Sequence, residues 1–487
     1  MKEFIGIALL LAAAAPTAAR VTHVDHGVIL GNVIVIDTAT GRAINGRAVV
    51  IADGKIVAIV SAGSVAASGS ARWFEGRGKF VVPGFLDMHA HPLGSPGETE
   101  KLDLMLANGI TGFRQMSGDA ATLERRQAGP ITSTDQPTLL AMPGEILTRA
   151  NAATPVAAVA EIARQKQQGA DFIKVIDVSP PTFVAVLDEA KKQNLTVAGH
   201  LPASVDVRDA SARGMRSIEH LGPQDTLLLS CSSDEAALRA DVAAHASGRP
   251  TLGGPTPPAL IARILANPMA FADPATITRL GKLVASFDPD KCGVLADELR
   301  KHQTWQVPTL IRLRTMELGD DPAYVGDPHL RYVAPATRAL WSSVAQQFTV
   351  KTTPEARTTL SALFALQSRV VKLFDAAGVP MLAGSDLGGS WGVAGFDLHQ
   401  EFDLLASAGL TPLRILQMTT RDGAAFLGRA DMGGVAVGKV ADLVLLDGDP
   451  IANAANLHRI FAVIHGGKIF DRANLDAIER RVAAGGR

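Results

Sequence analysis

Two histidines one residue apart, His89 and His91, close the run Phe80-Val81-Val82-Pro83-Gly84-Phe85-Leu86-Asp87-Met88-His89-Ala90-His91. In a β-strand, side chains at i and i+2 leave the same face, so both imidazoles would converge on one spot. Two neutral imidazoles meeting at a strand end suit a divalent cation such as zinc. A His-x-His alone is as readily structural. The chain adds four more ligand-type residues, each at or near the end of another apolar run. These are Lys174 in Asp171-Phe172-Ile173-Lys174-Val175-Ile176, His200 in Val197-Ala198-Gly199-His200, His220 in Ser217-Ile218-Glu219-His220, and Asp386 in Leu382-Ala383-Gly384-Ser385-Asp386. Each histidine alone is more often a hydrogen-bonded core residue, and a lone lysine in an apolar strand is expensive to bury unpaired.

The elements that must position these side chains follow a regular rhythm. Strand candidates are Phe80–His89, Gly109–Met116, Thr138–Pro143, Asp171–Asp177, Leu195–Leu201, Ser217–Leu221, Gln306–Leu313 and Pro380–Asp386. Helical-period segments such as Pro155–Gln168 and Thr182–Gln193 separate them. Repeated βα units predict a parallel sheet and, at eight strands, a closed (β/α)8 TIM barrel with its site at the strand C-termini. Short strand-like runs precede this region (Val28-Ile29-Leu30, Val33–Asp37, Ala48–Ile51, Lys55–Ile59), and similar runs follow it (Ala441–Asp447, Ile460–Lys468). Two stretches break the rhythm, Pro223–Trp305 and Gly319–Arg357. The first is too long for one connection and predicts helices of its own, forming part of a lid.

Pro83-Gly84-Phe85-Leu86-Asp87-Met88-His89-Ala90-His91 resembles the PGxxDxHxH signature of the amidohydrolase superfamily. Gly438-Lys439-Val440-Ala441-Asp442-Leu443-Val444 resembles that family's GKxADLV motif. The later matches resemble the branch of imidazolonepropionase-like and Xaa-Pro dipeptidase (prolidase-like) enzymes, and the likeness runs from about Val28 into the C-terminal region. The resemblance implies a composite β-sandwich built from both chain ends. Residues 1–19 are then expected as a signal peptide, 20–79 and 431–487 as the two sandwich parts, and 80–430 as the barrel. It also implies a role for each ligand-type residue. Lys174 matches the strand-4 lysine that is carboxylated in binuclear members. His200 and His220 match the strand-5 and strand-6 ligands, and Asp386 the strand-8 aspartate.

The expected centre holds two divalent cations, zinc by expectation. His89, His91 and Asp386 would bind one and His200 and His220 the other, bridged by N6-carboxylated Lys174. Asp386 would also be the general base. The implied activity is amide hydrolysis on Xaa-Pro or other apolar dipeptides, or on N-acyl amino acids. A single-metal deaminase would not need Lys174. A lactonase or phosphotriesterase would use the same centre, and a non-catalytic metal-binding assembly protein would be expected to have lost ligands. His399 and Glu401 resemble a motif of the branch on the helix after strand 8, expected in a supporting role. Arg114 could meet a substrate carboxylate, although a salt bridge at the barrel rim is the expected role. His23, His26, His245, His302, His329 and His465 lie outside any strand-end match.

Composition sets the remaining bounds. A chain of 487 residues with 47% hydrophobic and 20% charged residues and a formal net charge of −1 is globular. It carries no basic block, so the expected partner is a small-molecule substrate and not nucleic acid. Lys2, the apolar run from Phe4 to Ala15 and Pro16-Thr17-Ala18-Ala19 read as a leader cut after Ala19. Export without stable membrane insertion is therefore expected, an uncleaved anchor being the alternative. Cys231 and Cys292, the two cysteines, could pair or remain buried thiols. Oligomers are common in the resembled family, which implies a homo-oligomer.

Overall fold

The computed structural model describes residues 21–202, 204–222, 226–244 and 257–485. The expected leader and His245 lie outside them. Valine- and isoleucine-rich runs from both chain ends build one eight-stranded sheet. Its order is Lys468–Asp471, Ile460–His465, Leu443–Leu446, Phe80–Pro83, Val28–Ile36, Ala43–Ala52 and Lys55–Ser61, with Arg72–Glu75 also paired to Val28–Ile36. The period-two alternation sorts the side chains between two apolar clusters. Leu30, Val49 and Ile51 pack with Leu443 and Leu445, whereas Ile29, Ala48 and Val50 meet Val65.

The run expected as one strand, Phe80–His89, is divided at Gly84. Phe80–Pro83 lies antiparallel to Leu443–Leu446 in the terminal sheet. Gly84 N–H donates to Asp442 O at 2.8 Å, and Phe85 N–H to Gly109 O at 2.9 Å, so the chain changes sheets across one residue. Glycine is required there: a Cβ would stand 2.1 Å from Thr111 Oγ1.

The central strands are β1 (Phe85–Ala90), β2 (Ile110–Gln115), β3 (Thr138–Ala141), β4 (Phe172–Asp177), β5 (Thr196–Gly199), β6 (Met215–Glu219) and β7 (Trp305–Val307). Two parallel ladders join β1–β2–β3 and β4–β5–β6–β7. Single parallel bridges connect Pro143 with Phe172, Gln306 with Met381, and Ala90 with Leu387. The expected strand Pro380–Asp386 forms no ladder of its own. It is an extended segment between β7 and β1, with Leu382 N–H on Gln306 O, Met88 N–H on Ala383 O and Asp386 N–H on His89 O.

A second expected strand, Gln306–Leu313, is also corrected. Pro308 ends β7 and Thr309 takes a left-handed backbone (φ 45°). Leu310–Glu317 then runs as a helix. A short apolar run does not by itself separate strand from helix. Three helices bear on the site: α1 (Pro258–Ala266), α2 (Leu310–Glu317) and α3 (Phe396–Ser407). The stretch 223–305 carries helices as expected, α1 among them, and a disulfide between Cys231 and Cys292. Among the described residues no helix is long and apolar enough to cross a membrane.

Candidate metal centre

Strand alternation puts Asp87 and His89 of β1 on one face and Ser217 and Glu219 of β6 on one face. His89 is buried, with Nδ1 2.6 Å from Glu219 Oε2 and Nε2 3.1 Å from Asp386 Oδ1. His91 follows just past the strand, its Nδ1 2.9 Å from Ser117 Oγ and its Nε2 3.3 Å from the same Asp386 oxygen. His220 has Nδ1 2.5 Å from Thr309 Oγ1 and Nε2 3.8 Å from Asp386 Oδ2. In all three, the protein ties Nδ1 and leaves Nε2 facing one carboxylate. Groups that orient a ring through its other nitrogen are a regular part of metal-binding histidine sites.

The backbone bends to allow this. His220 and Asp386 have left-handed φ values of 57° and 53°, a conformation that costs free energy for residues other than glycine. For His220 the bend breaks the alternation. Glu219 reaches His89 while its immediate neighbour His220 turns towards Asp386. Gly384 supplies close approach: a Cβ there would stand 2.7 Å from His89 Cβ.

His200 lies beside His220, ring centroids 5.3 Å apart, and His89 is 4.6 Å from His220 on the same measure. Lys174 is 1% exposed on β4, and a Cβ on Gly199 would lie 3.1 Å from its Cδ. Among the described residues no side chain gives Lys174 Nζ a hydrogen bond or an ion pair. Burial pulls this amine down to about 8, against the opposing pull of Glu219 and Asp386. Burial likewise holds His200 well below the usual imidazole range and His220 at about 3. In both rings burial favours the neutral imidazole, the form that binds metal. Burial alone would raise the Asp386 carboxyl, but His220 and His89 outweigh it and hold Asp386 well below the ordinary carboxylate value.

The ligand atoms of His89, His220 and Asp386 all lie within 4.8 Å of one another. Imidazole nitrogens beside a carboxylate make a borderline donor set of the kind that zinc and its neighbours take. An unpartnered buried amine next to them is otherwise hard to justify. The residues present therefore fit a divalent cation.

Around this set stand further residues, of which Glu219, Asp87 and Arg312 had no role expected from the sequence. Glu219 also accepts from Ser217 Oγ (2.6 Å) and from Arg114 Nη2 (3.1 Å). Arg114, 1% exposed, donates Nε to Met88 O at 2.6 Å. Its salt bridge is thus internal and not at a rim, and its charge is spent on Glu219. Asp87 accepts from Ser385 Oγ at 2.6 Å and ties β1 to the Asp386 segment. Arg312 on α2 stands 3.3 Å from Asp386 Oδ2. His399 and Glu401 of α3 are both buried and touch none of the expected ligands directly. His399 Nε2 is 2.9 Å from Asn108 O, and Glu401 accepts Ile311 N–H at the start of α2. Of the histidines outside the strand-end set, His465 is paired with Asp442 in the terminal sheet.

Residues 366–470, which include Asp386, His399 and Glu401, match the model of the amidohydrolase family. No protein of curated function matches the chain by sequence. Several solved structures share the fold over most of both chains. A bottromycin amidohydrolase is 23% identical, covering 94% of this chain and 90% of its own, with a TM-score of 0.67. A prolidase complexed with N-methylphosphonate-L-proline is 19% identical, covering 91% and 99%, at 0.60. The ochratoxinase of A. niger is 15% identical, covering 91% and 95%, at 0.58.

Proposed function

We propose that this chain is a member of the amidohydrolase superfamily and an exported binuclear metallohydrolase cleaving amide bonds of apolar dipeptides, Xaa-Pro included, or of N-acyl amino acids; the family match over residues 366–470 supports the reading. The observation that carries the reading is the convergence of His89, His91 and His220 on Asp386, beside the buried Lys174. His89, His91 and Asp386 would hold one cation, and His200 and His220 the other. Lys174, whose amine burial brings within reach of neutral pH, would add carbon dioxide at Nζ with loss of one proton. The resulting carbamate is anionic with two oxygens and so can bridge both sites, where an ammonium would repel them. When bound, the cations supply Lewis acidity to the scissile carbonyl and acidify a water. Asp386 takes the proton of the attacking water and returns it to the departing nitrogen. Thr309, Ser117 and Glu219 hold the three rings in their tautomers and orientations throughout.

As the wider frame of this reading we propose a closed eight-stranded barrel over 80–430, supported by the isolated parallel bridges at Met381 and Leu387. Residues 20–79 and 431–487 are proposed as the accessory unit, in support of which Phe80–Pro83 pairs with both Leu443–Leu446 and Val28–Ile36. Export agrees with the Cys231–Cys292 disulfide, since such bonds persist in oxidising compartments. The working form is proposed as a homo-oligomer. The substrate class is drawn from the neighbouring prolidase and amidohydrolase structures.

A mixed panel incubated with zinc- and bicarbonate-supplied protein, with products read by mass spectrometry, tests the reading. The panel holds Xaa-Pro and other apolar dipeptides, N-acyl amino acids, lactones and a phosphotriester, with Lys174→Ala as control. Free amino acid released by the unmodified protein alone supports it. Cleavage confined to lactones or the phosphotriester overturns the substrate class, and no cleavage at all overturns the hydrolase reading.

A further inference from the structure

Asp386 divides its two oxygens between different parts of the molecule. Oδ1 faces the β1 histidines, at 3.1 Å from His89 Nε2 and 3.3 Å from His91 Nε2. Oδ2 is 3.3 Å from Nε of Arg312, a buried residue of α2. The other two guanidinium nitrogens are also engaged. Nη1 donates to Ala266 O at 2.8 Å and Nη2 to Leu265 O at 2.6 Å. These are the last carbonyls of α1, which have no partner within their own helix. A cation at a helix C-terminus is also favoured by the helix dipole.

The end of α1 is in turn fastened in place. Ser390, four residues past Asp386, donates both its N–H (3.1 Å) and its Oγ–H (2.8 Å) to Ala266 O. Asn267, 1% exposed, donates Nδ2 to Met316 O of α2 at 3.1 Å and accepts Met269 N–H at 2.8 Å. Gly389 leaves room for the guanidinium, since a Cβ there would lie 2.4 Å from Nη1.

We propose that Arg312 is a positioning residue for Asp386: it fixes Oδ2 and is itself aimed by the carbonyls of Leu265 and Ala266, so that the insertion sets the orientation of the carboxylate. This deepens the hydrolase reading and rests on it. A planar guanidinium held at all three nitrogens cannot turn without surrendering a contact. The carboxylate it touches is confined likewise, and a general base misaligned by a fraction of an ångström loses rate.

The test uses full-length protein loaded with zinc and bicarbonate and a substrate that the unmodified protein cleaves, offered with a free and with an amidated C-terminus. Arg312→Gln should lower kcat about 10- to 100-fold for both forms while KM moves less than about threefold. Arg312→Lys should recover little of this, because one ammonium cannot meet three diverging acceptors. Asn267→Ala should lower kcat severalfold when Arg312 is present and add nothing in the Arg312→Gln background. A rise in KM restricted to the free-carboxylate substrate, with kcat kept, would make Arg312 a substrate receptor and overturn the proposal. Additive effects of Asn267→Ala and Arg312→Gln would also overturn it.

A readout independent of turnover is the rate at which a chelator strips zinc. Removing a positive charge beside the cation site should slow that loss by about threefold or more, and an unchanged rate counts against the contact. This arm also separates the two claims: if nothing on the panel is cleaved, the hydrolase reading fails while Arg312 is still tested. Should Arg312→Gln not fold, Ser390→Ala takes its place. It removes the Oγ–H bond to Ala266 O and keeps the backbone N–H bond, and a kcat equal to that of the unmodified protein would overturn the proposal.

Discussion

Arg114 and Arg312 are both buried beside the same constellation, one on the strand side and one on the insertion side, and they are held in different ways. Arg114 is locked by strand residues: it donates to Met88 O of β1 and to Ser217 and Glu219 of β6, and through Glu219 it orients His89. Arg312 is held by the C-terminal end of α1, on carbonyls of a segment far away in sequence. The strand side is therefore fixed by sheet register and charge pairing. The insertion side is fixed by a few backbone acceptors and can vary without disturbing the ladders. The part of the site common to a fold would be expected on the first side and substrate preference on the second, since loops on a rigid scaffold carry specificity.

The sharpest way to break this contrast is Glu219→Gln. It leaves the Arg114 guanidinium buried without its carboxylate, which should destabilise the fold by about 3–5 kcal/mol. It also removes the orienting partner of His89, which should weaken zinc retention about 10- to 100-fold. Thermal unfolding and zinc competition measure the two effects, and an unchanged melting temperature would remove Glu219 from its place in the account.

The insertion side is probed by Cys231→Ser paired with Cys292→Ser. The disulfide joins residues 61 positions apart, and its loss should cost about 2–4 kcal/mol through the unfolded chain. Zinc content should stay as it was, because neither cysteine neighbours a ligand. Loss of zinc together with loss of stability would show that the two sides are not separable.

The smallest effect is expected at Glu401, whose buried carboxyl is pushed up from 4.5 to about 8. The folded chain thus keeps a proton that the unfolded chain releases above about pH 4.5, so Glu401 weakens the fold as pH climbs from there towards about 8. Glu401→Gln, which resembles the protonated acid, should be near neutral at pH 5 and should raise stability relative to the parent at pH 8. Denaturant unfolding at the two pH values measures it, and equal differences at both would contradict the assignment.

The two sides also differed in how far the sequence disclosed them. The candidate ligands on the strand side were legible because most of them end an apolar run at a spacing that strand geometry turns into convergence. Glu219 was not legible, since alternation sets it opposite His220 until the left-handed turn at His220 brings both inward. A carboxylate directly before a candidate metal-binding histidine was the available signal. Arg312 was hidden by the reading of Gln306–Leu313 as one strand, where Pro308 and the turn at Thr309 begin a helix instead. The disulfide depended on a Cα separation of 4.3 Å between chain segments that sequence leaves unplaced.

The central claim is that Asp386 is both ligand and general base of an amide hydrolase. The most direct test is the turnover of Asp386→Asn on a cleaved dipeptide, compared with the parent at matched zinc content. The account predicts a rate about 10²- to 10⁴-fold lower, the usual weight of a general base. Turnover close to that of the parent, with zinc still bound, would contradict it.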